Sequence, residues 1–429
     1  MPGTSKLDRY LDDLCSALGH KARHDPFRGY CRGLMLPIER KSVEPLAAHL
    51  APQNVRSAHQ SLHHFVADSP WSDAAVLERV RTRVEEAMGE AARFWLVDDT
   101  GIPKKGNHSV GVSHQYCGQL GKQANCQVAV SLSLATDEAS VPIDYRLYLP
   151  KGWAADSDRC AAVGVPEDLT FATKPEIALA QLTAAVERGV TPGVVLADAG
   201  YGHESAFRDG LTALGLAYVV GIREDTTVWA PWTEPKAERH KRGERVPPSR
   251  RRFAAGHAPQ SVRALAEEID APAWRRVTWR EGTNETLHSR FAAIRVSVAH
   301  RDRPGRAAER EEQWLLIEWP KGEAEPTKYW LSTLPQGTST RELVRTAKRR
   351  WRVERDYQEL KQELGLNHYE GRSWRGFHHH ASLCIAAYGF LVIERLRYPE
   401  KKKRRQRPAP ALPESYVPRG SAETNAAPR

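Results

Sequence analysis

Val194-Val195-Leu196-Ala197-Asp198-Ala199-Gly200-Tyr201-Gly202 decides how this chain reads. Four apolar residues form a short buried strand, an acid stands at its carboxyl end, and small residues follow at once. A helix is expected before it over residues 175–187, and a second helix over 205–214 and a strand over 217–222 after it. Alternation of this kind builds strands covered by helices. Upstream, residues 94–97, 110–116, 127–134 and 143–149 are rich in β-branched and aromatic types and are separated by Gly, Asn and Asp, which reads as successive antiparallel strands. The expected class is therefore α/β, with one mixed sheet covered by helices.

Asp198 is not the only acid at a strand end. Phe94-Trp95-Leu96-Val97-Asp98-Asp99-Thr100 repeats the arrangement, and strand alternation turns Asp98 and Asp99 to opposite faces, so pattern alone does not choose between them. Taken singly, each acid has a plain explanation as a turn or cap residue. A third acid shifts the balance. Arg350-Trp351-Arg352-Val353-Glu354 opens a helical stretch in which, at about 100° per residue, Arg350, Glu354, Gln358 and Lys361 share one face. Carboxylates hold a hard divalent ion through oxygen, while Arg and Lys hold phosphate. An ordinary i, i+4 pair is the alternative for Arg350 and Glu354.

The 429 residues suffice for two or three domains, and a net charge of +10 favours an anionic partner, with nucleic acid first. The six cysteines show no Cys-x-x-Cys pair, so they are expected to be reduced and mostly buried. Residues 1–14 lack the apolar core of a signal peptide, and the apolar run at 384–393 is too short to span a bilayer. The expectation is a cytoplasmic protein with no membrane partner.

Along the chain, residues 1–88 read as a helical N-terminal DNA-binding domain, with one helix opened by Ser42 and another by Asp73. His59, His63 and His64 are expected on its surface. Residues 224–335 are rich in Pro, Arg and Lys, including His240 to Arg245 and Ser249 to Arg252, and carry strand signals at 275–279, 291–298, 314–319 and 329–333. They read as a β-rich basic insertion that divides a core into residues 89–223 and 336–397. One long helix is expected to carry Glu354, and a second to cover 377–396. Residues 398–429, with Lys401 to Arg405, read as a disordered basic tail.

These motifs resemble the bacterial insertion-sequence transposases of the DDE superfamily, in the branch marked by Tyr-x2-Arg-x3-Glu-x6-Lys. Arg350, Glu354 and Lys361 match Arg-x3-Glu-x6-Lys, while Asp99-Thr100 and Asp198-Ala199-Gly200-Tyr201 resemble the two preceding acid motifs. The resemblance selects Asp99 over Asp98. It also departs at one point, since Ala347 stands where the family has Tyr, and Tyr357 is the nearest candidate to replace it.

The resemblance implies a ribonuclease-H-like core in which Asp99, Asp198 and Glu354 hold two Mg²⁺ ions, with Mn²⁺ as an alternative. It implies cleavage of transposon ends and strand transfer into target DNA, on double-stranded DNA with terminal inverted repeats, by a homodimer in a synaptic complex. Arg350, Lys361, Lys104, Lys105, Arg372 and Arg375 are expected to contact DNA, with His378, His379 and His380 extending that surface. Trp279 is expected either to stack on a displaced base or to pack within the insertion. Two other readings compete: a metal-dependent nuclease without strand transfer, and a transposase-derived DNA-binding protein without activity. A glycosidase with paired carboxylates gains no support from the basic helix.

Overall fold

A computed structural model describes residues 5–238, 252–281, 286–299 and 311–398. Most of the two arginine-rich runs at 240–252 and the whole of the tail beyond residue 398 lie outside the described residues.

Five helices come first: α1 (Lys6–Cys15), α2 (His24–Leu34), α3 (Val43–Leu50), α4 (Val55–Ala67) and α5 (Asp73–Met88). Ser5 and Asp8 form a capping box on α1, and Ser72 caps α5, satisfying amide groups the first turn leaves unpaired. Helix α5 buries Val76, Val80 and Val84, a stripe at i, i+4 spacing.

The core begins with β1 (Phe94–Pro103), β2 (Ser113–Cys117), β3 (Lys122–Ala135) and β4 (Ser140–Leu147). Short helices α6 (Lys151–Ala154) and α7 (Ser157–Ala162) precede α8 (Lys174–Glu187), whose Thr173 and Glu176 form a second capping box. Then come β5 (Val194–Ala197), α9 (Ala199–Gly202), α10 (Ser205–Ala213) and β6 (Tyr218–Ile222). The strands lie in the order β4-β3-β1-β5-β6, antiparallel up to β1 and parallel from β1 through β6. This is a ribonuclease-H-like α/β core. Strand β2 starts later than the expected strand at 110–116, because the amide of Val110 turns away to bond the carbonyl of Arg372.

Beyond the core lie β7 (Thr227–Trp229), β8 (Gln260–Ser261), α11 (Val262–Glu267), β9 (Arg275–Glu281), β10 (Thr286–Val298), β11 (Gln313–Trp319) and β12 (Lys328–Ser332). Strand β12 pairs antiparallel with β6, Trp330 opposite Gly221, so these strands continue the core sheet.

The last three helices are α12 (Thr340–Lys348), α13 (Trp351–Gln362) and α14 (Trp374–Arg397). The single helix expected around Glu354 is thus two, broken at Arg349 and Arg350. Helix α12 packs on β9 and β10, whereas α13 packs on β1 and β4, and the chain turns to serve both. Helix α14 is long and apolar enough to cross a membrane, but 89% of its most apolar window is buried inside the protein. It is the central core helix: Tyr10 donates to the carbonyl of Ala386 at 2.9 Å, tying the N-terminal helices to it.

Candidate active site

Strands β1 and β5 run parallel with Leu96 opposite Leu196, so Asp98 and Asp198 leave the same end of neighbouring strands. Asp198 caps α9, its Oδ1 accepting from the amide of Gly200 at 2.8 Å. The turn that follows lies flat against β6. A Cβ on Gly202 would stand 2.2 Å from the carbonyl oxygen of Gly221, and one on Gly221 would stand 2.8 Å from the amide nitrogen of Ala199. Two glycines therefore fix where Asp198 sits.

Alternation along β1 separates the two adjacent acids. Asp98 faces α13, where Nη1 of Arg350 donates to its Oδ2 at 2.8 Å and the backbone of Asp99 donates to its Oδ1 at 2.9 Å. The other Arg350 nitrogen, Nη2, donates to Glu354 at 3.1 Å. Asp198 also lies within electrostatic reach of both Asp98 and Arg350. One guanidinium thus bridges Asp98 and Glu354, with Asp198 near enough to act on it electrostatically. Asp99 points to the opposite face, where Lys174 stands at 2.9 Å and the Tyr201 hydroxyl at 3.1 Å from its Oδ2. The acid that meets Arg350 is thus Asp98, whereas Asp99, which the sequence resemblance selected, meets Lys174 and Tyr201.

Burial pushes the Asp98 carboxyl up to about 7; Arg350 opposes this, and Asp198 and Asp99 reinforce it. The Glu354 side chain is 65% exposed, against 12% for Asp98. It lies in the first turn of α13, where free amide groups favour a negative charge. Helix α13 is held by two buried anchors that the sequence did not reveal. Ser140 and Tyr388 donate to Asp356 at 2.5 and 2.9 Å, and burial pushes that carboxyl up to about 7. Tyr357 shares a 2.5 Å hydrogen bond with Ser131. Tyr357 is therefore a buried clamp and does not replace the family tyrosine as a phosphate contact.

The expected DNA-contacting residues divide. Lys361 donates to the carbonyl of Gly101 at 2.9 Å and Lys104 to that of Tyr369 at 2.7 Å, and burial lowers each ammonium to about 8. Both are partly committed to backbone. Lys105 and Arg372 are exposed, and Arg375 donates to the carbonyl of Asp68 at 2.9 Å. Trp279 is half-buried, edge-on to Phe291 at 5.6 Å with Lys348 4.5 Å from its ring centre. It lines a cleft of about 450 Å³ with Arg345, Arg349, Trp351 and Arg352.

The three consecutive histidines do not extend a DNA surface. All are buried, and desolvation lowers His379 and His380 to about 4, so they stay neutral. His379 stands with Nδ1 2.9 Å from the Val66 carbonyl and Nε2 2.9 Å from that of Trp71, so the neutral ring, with its single N–H, donates to one of the two, and His380 meets the Tyr30 hydroxyl at 2.9 Å. The described cysteines are free, with Cys15, Cys31, Cys117, Cys126 and Cys384 buried.

Among the described residues, no three His, Cys, Asp or Glu side chains stand in metal-holding geometry, and Arg350 lies between Asp98 and Glu354. Their chemistry still fits a hard divalent ion: the donors are carboxylate oxygens from three elements, and one arginine does not relieve the raised pKa of Asp98.

Comparison with known proteins bears on the family. A probable transposase for insertion sequence element IS701 from Microchaete diplosiphon is 28% identical over 229 residues, covering 52% of this chain and 55% of that protein. The chain thus spans about half the length of that relative. The family described as DDE superfamily endonuclease matches residues 13–286, a stretch that holds Asp98, Asp99 and Asp198 and ends before Glu354. Enzymes of this kind use divalent metal ions in general. With well over half of its length matched, the chain belongs to the DDE superfamily endonucleases.

Proposed function

We propose that the protein is an insertion-sequence transposase that cuts double-stranded DNA at terminal inverted repeats and joins the freed ends to target DNA. The observation that carries this reading is the Arg350 bridge, which brings Asp98 and Glu354 to one guanidinium beside Asp198. The relative's description as a transposase supports it.

In this reading Asp98, Asp198 and Glu354 hold Mg²⁺ or Mn²⁺, which when bound activates a water or a 3′-hydroxyl and steadies the leaving oxygen of an in-line displacement. Asp98 serves in its ionised form, which its half-point near 7 makes available at neutral pH. Arg350 and Lys361 supply positive charge to the phosphate backbone, with Lys105 and Arg372 at the exposed margin. Tyr357 and Asp356 act on the helix that positions Glu354. Two copies pair the two DNA ends in a synaptic homodimer acting on DNA in the cytoplasm.

Glu354→Gln, incubated with DNA from the ends of the element and Mg²⁺, is expected to bind DNA and fail to cut it. Undiminished cutting would refute the role of Glu354, and cutting by the unaltered chain without strand-transfer products would reduce the reading to a nuclease.

A further inference from the structure

We propose that the turn joining β2 to β3 is a wedge driven between base pairs of the target duplex, with Leu120 parting a base step and Tyr116 stacking on the base so exposed. This deepens the proposed function and rests on it. It names what would choose the point of insertion.

Residues 118–121 form the turn, closed by the pairing of Cys117 with Lys122 and by the amide of Leu120, which donates to the carbonyl of Cys117 at 2.9 Å. Gly121 has a φ of 63°, a left-handed conformation that a side chain would strain, so the turn stays tight. At this end of the hairpin Tyr116 is 61% and Leu120 45% exposed. Of the four large apolar side chains exposed among the described residues, two therefore share one turn. A single exposed apolar residue needs no explanation, whereas two together mark a surface that something covers.

The root of the hairpin is firmly set. Cys117 and Cys126 are buried with Val128, and a Cβ on Gly101 would stand 3.0 Å from the Cys117 sulfur, so β2 lies hard against the strand that carries Asp98. The carbonyl of that same Gly101 accepts from Lys361. In the turn itself, Gln119 lines a cleft of about 390 Å³ with Glu354, Gln358 and Lys361. The wedge thus stands at the wall of the site where a phosphodiester would react.

Charge and chemistry both point to DNA as the occupant. Residues 100–136 contain no acid, and Lys105 and Lys122 among them are exposed, so a phosphate backbone can come close. Apolar side chains are what DNA-bending proteins insert between base steps, and aromatic faces receive the bases that are freed. Every base has such a face. Stacking therefore tolerates any sequence, which suits a target better than an element end, and choice falls to steps that open easily, such as TA and CA.

The test compares binding of the full chain, in EDTA, to duplexes of arbitrary sequence that are fully paired or carry one mismatched pair, where the stack is already loosened. The unaltered protein is expected to prefer the mismatched duplex roughly ten-fold, the scale of one base stacked on an aromatic ring. The double variant Tyr116→Ala, Leu120→Ala should bind the two duplexes equally with an unchanged melting temperature, and Tyr116→Phe should keep the preference. With Mg²⁺ the double variant should cut element ends normally and join them to paired target about ten-fold more slowly, with the rate restored by a mismatch in the target. No mismatch preference in the unaltered chain, the same preference in the double variant, or equal weakening on both duplexes would each overturn the wedge. Binding requires neither metal nor cutting. An unaltered chain that cuts without joining would therefore sink the transposase reading, while the mismatch comparison still decides this one.

Discussion

Arg350 donates to Asp98 at 2.8 Å across 252 residues of sequence, and its second terminal nitrogen holds Glu354 at 3.1 Å. Acids placed this close repel one another, and a single cation between them lowers that cost. The same contact distinguishes two neighbouring aspartates that the sequence could not rank by pattern.

If Asp98 is the metal-holding acid of β1, Asp98→Asn abolishes metal-dependent cutting, a loss on the order of a thousand-fold, since several kcal/mol of charge stabilisation go with it. Asp99→Asn frees Lys174 and Tyr201 and retains most of the activity. Cleavage rates of the two variants at saturating Mg²⁺ provide the check. The reverse ranking would return the role to Asp99.

Tyr357→Phe removes the 2.5 Å bond to Ser131 and leaves that hydroxyl buried without its partner. Chemical denaturation should show a loss of about 1 kcal/mol. Affinity for duplex DNA should be unchanged, because the ring is buried.

Gly202→Ala places a methyl group 2.2 Å from the Gly221 carbonyl oxygen. Overpacking of this kind costs roughly 1–3 kcal/mol and pushes the turn away from β6. Thermal melting should register the loss, and cutting should fall further than stability alone predicts, since Asp198 moves with the turn.

His379 contributes a pH dependence whose sign is fixed. Its folded half-point is lowered from 6.5 to about 4, so the unfolded chain binds more protons between those values. Its contribution is complete above pH 6.5 and declines toward pH 4, on the order of 3 kcal/mol over that window. Asp98 and Asp356, both raised to about 7, favour the folded state as pH falls and work against it. The measurement is therefore a difference: His379→Gln should be less stable than the unaltered chain at pH 7.5, and its deficit should shrink steadily toward pH 4.5.

The sequence by itself determined the class of the fold and the strand-borne acids. Apolar runs such as Val194–Ala197, ended by Asp198, are local patterns, and local patterns survive folding unchanged. Capping signals did the same for helices, as Thr173 and Glu176 show at α8. Other features depended on partners remote in sequence, and only the tertiary structure decided them. No Gly or Pro marks the break at Arg349 and Arg350; it exists because α12 and α13 pack on different strands. Which of Asp98 and Asp99 faces the site depends on which face of β1 receives α13. The three histidines of α14 read as polar surface, yet they are buried among backbone carbonyls and the Tyr30 hydroxyl that offer each ring a hydrogen bond, a supply no local pattern announces.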